Sequence, residues 1–184
     1  MMNQSPLAIR HVTESDKAAW LEMRRALWPE DLNGDLSDEV ARFLKGDLKN
    51  PLAVLVAART DENGSNTRIV GFAELNIRPY AEGCSTDRVG FLEGWFVVPG
   101  ARRQGVGRAL LVAAEEWARG QGCTEFASDT LVDNDASAAA HQALGFEEVE
   151  VIRCFRKDLA KIPKPKAQSL KPSYASFLRM KHFK

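Results

Sequence analysis

The stretch at residues 91–122, "FLEGWFVVPGARRQGVGRALLVAAEEWARGQG", constrains the fold more than any other part of the chain. An apolar strand-like run passes through a turn with glycines at 100, 105 and 107 and arginines at 102, 103 and 108, and enters an amphipathic helical run without a break. A helix start presents unpaired backbone N–H groups and the positive end of the helix dipole, and glycine lets an anion approach the backbone closely. Arg102, Arg103 and Arg108 add cationic side chains. These properties suit a pyrophosphate. The spacing is neither the G-x-x-x-x-G-K-S/T of a phosphate loop nor the G-x-G-x-x-G of a dinucleotide fold, so both of those classes are disfavoured.

The elements around the turn follow from periodicity. "LAIRHV" alternates as a strand, and Thr13 with Asp16 has capping-box spacing ahead of a helix "KAAWLEMRRALW", with Trp20, Met23 and Leu27 on one stripe and Pro29 as its stop. "SDEVARFLKGDL" predicts a second helix. "LAVLVAART", "TRIVGFAELNIRPY" and "RVGFLEGWFVV" predict three strands, separated by the turn-rich "DENGSN" and the loop "AEGCSTD". After the glycine turn come a helix over about 104–119, a short strand "TEFASDT", a helix "NDASAAAHQAL" ending at Gly145, and a last strand "FEEVEVIRCFRK". The expected fold class is α/β: a mixed sheet, antiparallel at its N-terminal end, with helices on both faces.

Ala160 to Lys184 holds seven basic residues and no acidic one, and its "PKPK" segment cannot form a packed unit. The expected organisation is a domain over 1–159 and a basic appendage over 160–184. Tyr174, Phe177 and Leu178 have helical spacing and either dock or lie in solvent. The chain carries 25 basic and 25 acidic residues, so without the appendage 18 basic residues face 25 acidic ones, a net −7. Such a body repels nucleic acid and attracts cations. No apolar run spans a membrane, no secretory signal opens the chain, and Cys84, Cys123 and Cys154 lack metal-ligand spacing. A cytoplasmic protein with free thiols and no metal is expected.

The R-x-x-G-x-G turn between strand and helix, together with "DNDASAAAHQALGF", resembles the GCN5-related N-acetyltransferase superfamily over most of the chain. The resemblance implies acetyl-coenzyme A as acetyl donor. It implies that the fourth and fifth strands run parallel, joined by a right-handed crossover, and splay apart around the pantetheine arm. It also implies that backbone amides over Arg102, Arg103, Gln104, Gly105, Val106, Gly107 and Arg108 hold the pyrophosphate, that Phe96, Val97 and Val98 flank the thioester, and that Asn134 and His141 meet the cofactor from the later helix. In this scheme the N–H near Val97 or Val98 polarises the thioester carbonyl.

Three acids stand where strands are otherwise apolar: Glu74 in "IVGFAELNI", Glu93 in "GFLEGWFVV" and Asp129 in "FASDT". On neighbouring strands they would form an acidic pocket for a polycation. The segments that hold them, with "HQALGFEEVEVIRCFRK" and "AAWLEMRRALWPED", are similar to the aminoglycoside 6′-N-acetyltransferases over about residues 7–157. That resemblance implies acetylation of an aminoglycoside 6′-amine by direct transfer in a ternary complex. It makes Glu74, Glu93 and Asp129 amine-binding residues, Asp133 and Glu150 weaker candidates, and Trp20, Trp28 and Tyr80 candidates for stacking on sugar rings. Glu93 is the first candidate for general base and Asp129 the second, unless the amine loses its proton to water. His141 stands where many superfamily members carry an acid tyrosine; it either protonates the leaving thiolate or only packs. A homodimer is the expected assembly, with "FEEVEVIRCF" as an edge. The competing readings are an acetyltransferase for a peptide, polyamine or small-metabolite amine, and a domain that binds acetyl-coenzyme A without turnover.

Overall fold

In a computed structural model of the chain, the described residues are 6–29 and 35–159, so the stripe at Tyr174, Phe177 and Leu178 lies outside them. The chain divides into a compact unit, Met1–Val151, and a second, Ile152–Lys184. The first unit runs β1 (Leu7–His11), α1 (Lys17–Leu27), α2 (Leu36–Leu44), β2 (Ala53–Thr60), β3 (Thr67–Arg78), β4 (Val89–Val97), α3 (Val106–Gly120), β5 (Glu125–Ser128) and α4 (Asp135–Gln142). The order in the sheet is β1-β2-β3-β4-β5. The first four strands are antiparallel, and β5 lies parallel to β4.

Local chemistry sets the element starts. Thr13 donates from both its N–H and its hydroxyl to Asp16 Oδ2, each at 2.8 Å, which closes a 3-10 turn ahead of α1. Asp16 also binds Arg10 at 2.6 Å, and this pairing holds its carboxyl down at about 2. Asp35 caps α2 by accepting from the Asp38 N–H at 3.0 Å, and Asn134 caps α4 by accepting from the Ser137 N–H at 3.1 Å.

Two cores sandwich the sheet. On one face α3 packs Val106, Leu110, Leu111 and Ala114 against Leu55, Ala73, Leu75 and Leu92, with Trp95 and Phe146 at the margin. On the other, α1 and α2 pack Trp20, Met23 and Val40 against Val54, Val56 and Phe72. Burying side chains of this size contributes about 1.5–3 kcal/mol each before entropy is counted, so these two interfaces carry the fold.

Two irregularities shape the centre of the sheet. Glu74 pairs with Gly94 while Leu75 pairs with Leu92, so Glu93 is the extra residue of a β-bulge in β4. The β4–β5 ladder runs only from Val89↔Glu125 to Leu92↔Ser128, whereas β4 continues to Val97. The two parallel strands part immediately after Leu92 and Ser128, as the expected splay requires.

The expected last strand does not form. No strand occurs over residues 146–158. Val149 and Val151 of the first unit are 59% and 65% exposed, and in the second unit Ile152 and Phe155 are 51% and 92% exposed. Alternation in "FEEVEVIRCF" therefore reflects β-propensity that no ladder takes up among the described residues.

Candidate active site

The glycine turn meets the requirements of an anion site. A 3-10 turn at Pro99–Ala101 leads to Arg103 at φ 61° and Gly105 at φ 78°, both left-handed. Gly105 answers to that dihedral and not to space, because a Cβ there would meet nothing within 4 Å. The first helical bond of α3 runs from the Ala109 N–H to the Gly105 carbonyl at 2.9 Å. The N–H groups of Val106, Gly107 and Arg108 therefore precede the ladder and point outward from the helix start. Arg103 makes no hydrogen bond or ion pair among the described residues. Arg102 donates from Nε to the Val97 carbonyl at 2.9 Å, and Arg108 reaches the Ala143 carbonyl at 3.4 Å. Gln104 braces the turn, donating to the Gly100 carbonyl at 2.9 Å and accepting from Arg59.

The expectation for Val98 is corrected. Its N–H donates to the Val70 carbonyl at 3.0 Å and is not free. Because amides alternate sides along a strand, the Val97 N–H faces the gap where β5 has departed. Trp95, on the α3 face, closes the gap from behind: a Cβ on Gly107 would lie 2.7 Å from its ring, and its buried indole N–H has no partner. An orphaned donor at the mouth of a splayed sheet fits an acyl-pantetheine ligand with amide and thioester oxygens.

On the opposite face the acids gather around arginines. Arg78, the last residue of β3, places Nε 3.1 Å from Glu93 Oε1 and also binds Oε2. Its Nη1 lies 3.9 Å from Asp129 Oδ2. Glu93 and Asp129 are thus brought together at the point where β4 and β5 diverge, bridged by a cation that sequence reasoning did not assign. Its signal was present: Glu74, Asn76 and Arg78 alternate on one face of β3.

Glu74 and Trp20 depart from expectation. Glu74 is 2% exposed and Trp20 is 1% exposed. The Trp20 indole donates to Glu74 Oε1 at 2.9 Å, and Arg24 Nε stands 3.0 Å from the same oxygen without hydrogen-bond alignment. Burial pushes the Glu74 carboxyl up to about 7, opposed by Arg24 and Trp20. Both residues lie beneath α1, out of reach of a sugar ring; Trp20 instead packs edge-on to Phe43, with centroids 5.3 Å apart. Trp28 is half-buried at the end of α1, against Phe72, and its ring occupies the space a Cβ on Gly94 would need, next to Glu93. Tyr80 is 64% exposed on the loop after β3. Asp133 and Glu150 are exposed, Asp133 just before α4 and Glu150 in the irregular stretch eight residues after its end.

His141 projects from α4 towards the end of β5. Its Nδ1 donates to the Ser137 carbonyl at 2.8 Å, and its Nε2 lies 3.1 Å from Ser128 Oγ, which in turn is 3.2 Å from the Leu92 carbonyl. The ring sits edge-on to Trp95 and Phe146, at 5.6 and 5.0 Å. A proton can pass between histidine and hydroxyl here, beside the last rung of the parallel ladder.

Residues 20–146, which take in β2 to β5, the glycine turn and α4, match the acetyltransferase (GNAT) family. The chain belongs to that family. The GNAT chain is 56% identical over 158 residues to the aminoglycoside N(6′)-acetyltransferase type 1 of Klebsiella aerogenes, covering 86% of this chain and 100% of the relative. Among solved structures, the aminoglycoside N-acetyltransferase AAC(6′)-Iy in complex with CoA superposes with a TM-score of 0.73 at 35% identity, covering 85% of this chain and 98% of the other. The same enzyme in complex with the bisubstrate analogue CoA-S-monomethyl-acetylneamine gives 0.70 at 34% identity, with coverage of 84% and 99%. The chain is accordingly an acyltransferase with acetyl-coenzyme A as acetyl donor. No helix among its described residues is long and apolar enough to cross a membrane.

Proposed function

We propose that this acetyltransferase transfers the acetyl group of acetyl-coenzyme A to the 6′-amino group of aminoglycoside antibiotics, by direct transfer in a ternary complex. The observation that carries this reading is the meeting of Glu93 and Asp129 where the β4–β5 ladder ends at Leu92 and Ser128. The acids lie on the α1 face and the free amides of the turn on the α3 face, so an acceptor cation and an anionic donor approach one gap from opposite sides of the sheet. An aminoglycoside carries several ammonium groups, and paired carboxylates hold such a ligand better than apolar contacts do.

Bound acetyl-coenzyme A supplies the activated acetyl group. The N–H groups of Val106, Gly107 and Arg108, with the free Arg103, bind the pyrophosphate, and the Val97 N–H and Trp95 indole bind oxygens of the arm. Glu93, at 22% side-chain exposure, takes the proton of the acceptor ammonium, and Asp129, at 76%, orients a second ammonium. Trp28, against Gly94 beside Glu93, and the exposed Tyr80, two residues after Arg78, stack on sugar rings. Ser128 gives its hydroxyl proton to the departing sulfur and takes one from Nε2 of the charged His141, which is left neutral with its Nδ1–H still donating to the Ser137 carbonyl.

The domain takes in residues 1–159, and 160–184 is a basic appendage. The protein works in the cytoplasm, where metabolism supplies acetyl-coenzyme A. It acts as a homodimer, in keeping with the outer edge of β5, which pairs with no strand among the described residues.

The test is free-thiol release from acetyl-coenzyme A with kanamycin or tobramycin as acceptor, and a peptide amine and spermidine as controls. Release that depends on the aminoglycoside, with mass and NMR assignment of the product to the 6′-amide, is the expected result. Release with the peptide or spermidine alone overturns the substrate class.

A further inference from the structure

The guanidinium of Arg78 stands inside the acid group. Its Nε and Nη2 meet the two oxygens of Glu93, its Nη1 faces Asp129 at 3.9 Å, and its Cζ lies 3.4 Å from the centroid of the buried Phe91 ring. An apolar floor with carboxylates around the rim is also what an incoming ammonium requires. The bidentate guanidinium takes one lone pair on each Glu93 oxygen and neutralises the carboxylate, so while it stays in place an acceptor ammonium meets a weakened site.

We propose that Arg78 is an internal competitor for the acceptor-amine subsite, and so a specificity-determining residue: the acceptor displaces its guanidinium from Glu93, and acceptors with several cationic groups do so more readily than monoamines. This inference rests on the acceptor reading above. An intramolecular cation competes at an effective concentration of roughly millimolar or more, so exchanging one ion pair for another gains a monoamine little. A polycation adds pairs beyond the one exchanged at Glu93, beginning with the widely exposed Asp129, which Arg78 meets only at 3.9 Å. Arg78 itself has room to leave, since its side chain is 36% exposed and only the loop after β3 follows it.

The experiment compares kcat and KM for kanamycin and for a monoamine sugar, 6-amino-6-deoxyglucose, in wild type, Arg78→Gln and Arg78→Lys. Arg78→Gln keeps the stem over Phe91 and removes the charge, and circular dichroism checks that it folds. Its KM for the monoamine is expected to fall about tenfold and its KM for kanamycin by less than about threefold, narrowing the preference for the polycation. Arg78→Lys, which keeps a charge without the bidentate fork, should lie between. A raised KM for both acceptors, or a lowered kcat at constant KM, overturns the proposal and makes Arg78 a support for Glu93. A readout independent of turnover is the 15N resonance of Arg78 Nε–H in protein loaded with coenzyme A. Saturating kanamycin should shift or broaden it, and an unchanged resonance overturns displacement. If wild type acetylates neither sugar, the acceptor reading fails, and the resonance still decides whether a polycation displaces Arg78.

Discussion

Ser128 Oγ lies 3.1 Å from His141 Nε2 and 3.2 Å from the Leu92 carbonyl, at the last rung of the parallel ladder. The Ser137 carbonyl only accepts, so Nδ1 of His141 carries a proton. With the ring neutral, Nε2 must accept from the Ser128 hydroxyl; with the ring charged, Nε2 donates and the hydroxyl turns to Leu92. The hydroxyl is therefore bonded in both states. Replacing it, as Ser128→Ala, is expected to lower kcat by about tenfold to a hundredfold while leaving the Kd for acetyl-coenzyme A within about twofold. Steady-state kinetics and calorimetry check this, and an unchanged kcat would take the hydroxyl out of the proton path.

Glu93 is the bulged residue of β4, and Arg78 at the end of β3 holds both of its carboxylate oxygens. Glu93→Gln should reduce kcat by about a hundredfold, the ordinary scale of a lost general base, with cofactor affinity nearly intact. Retained turnover would mean that the amine loses its proton to water.

Asp129 is far more exposed than Glu93, so its attraction for a cation is open to screening. Asp129→Asn is expected to raise KM for kanamycin, and by a larger factor at low ionic strength than at high. An equal effect at both would argue for a role other than charge.

Glu74 governs a pH dependence of stability. Its folded-state pKa of about 7 lies above the unfolded value of about 4.3. The folded chain therefore binds the proton more tightly. Its contribution is complete below about pH 4.3 and is lost as pH rises to about 7, a span on the order of 3 kcal/mol. Glu74→Gln cannot titrate, so its urea midpoint relative to wild type should rise between about pH 5 and pH 8. A pH-independent difference would show that Arg24 and Trp20 compensate the charge fully.

The fold was legible wherever local chemistry and periodicity agreed. Thr13 with Asp16, the alternation through Phe72 and Glu74, and the left-handed Gly105 each act over a few residues. The segment 146–157 misled because alternation reports what a strand would bury and not whether a partner exists. Trp20 and Glu74 misled for a related reason: a stripe on α1 and an acid in β3 are visible separately, but their mutual bond across 54 residues is a tertiary fact. Arg78 escaped because attention to acids in strands leaves their counter-ions unexamined, and Ser128 because a hydroxyl beside Asp129 carries no signal until His141 is brought to it.

The two sides of the sheet have separate anchors: Gly105, Gly107 and Trp95 belong with α3, whereas Arg78, Trp28 and the carboxylates belong with α1 and the end of β3. Acceptor preference is therefore free to drift by changes on one surface while donor recognition stays under independent selection on the other. Adaptation to a new acceptor need not begin by sacrificing the capacity to bind the acetyl donor.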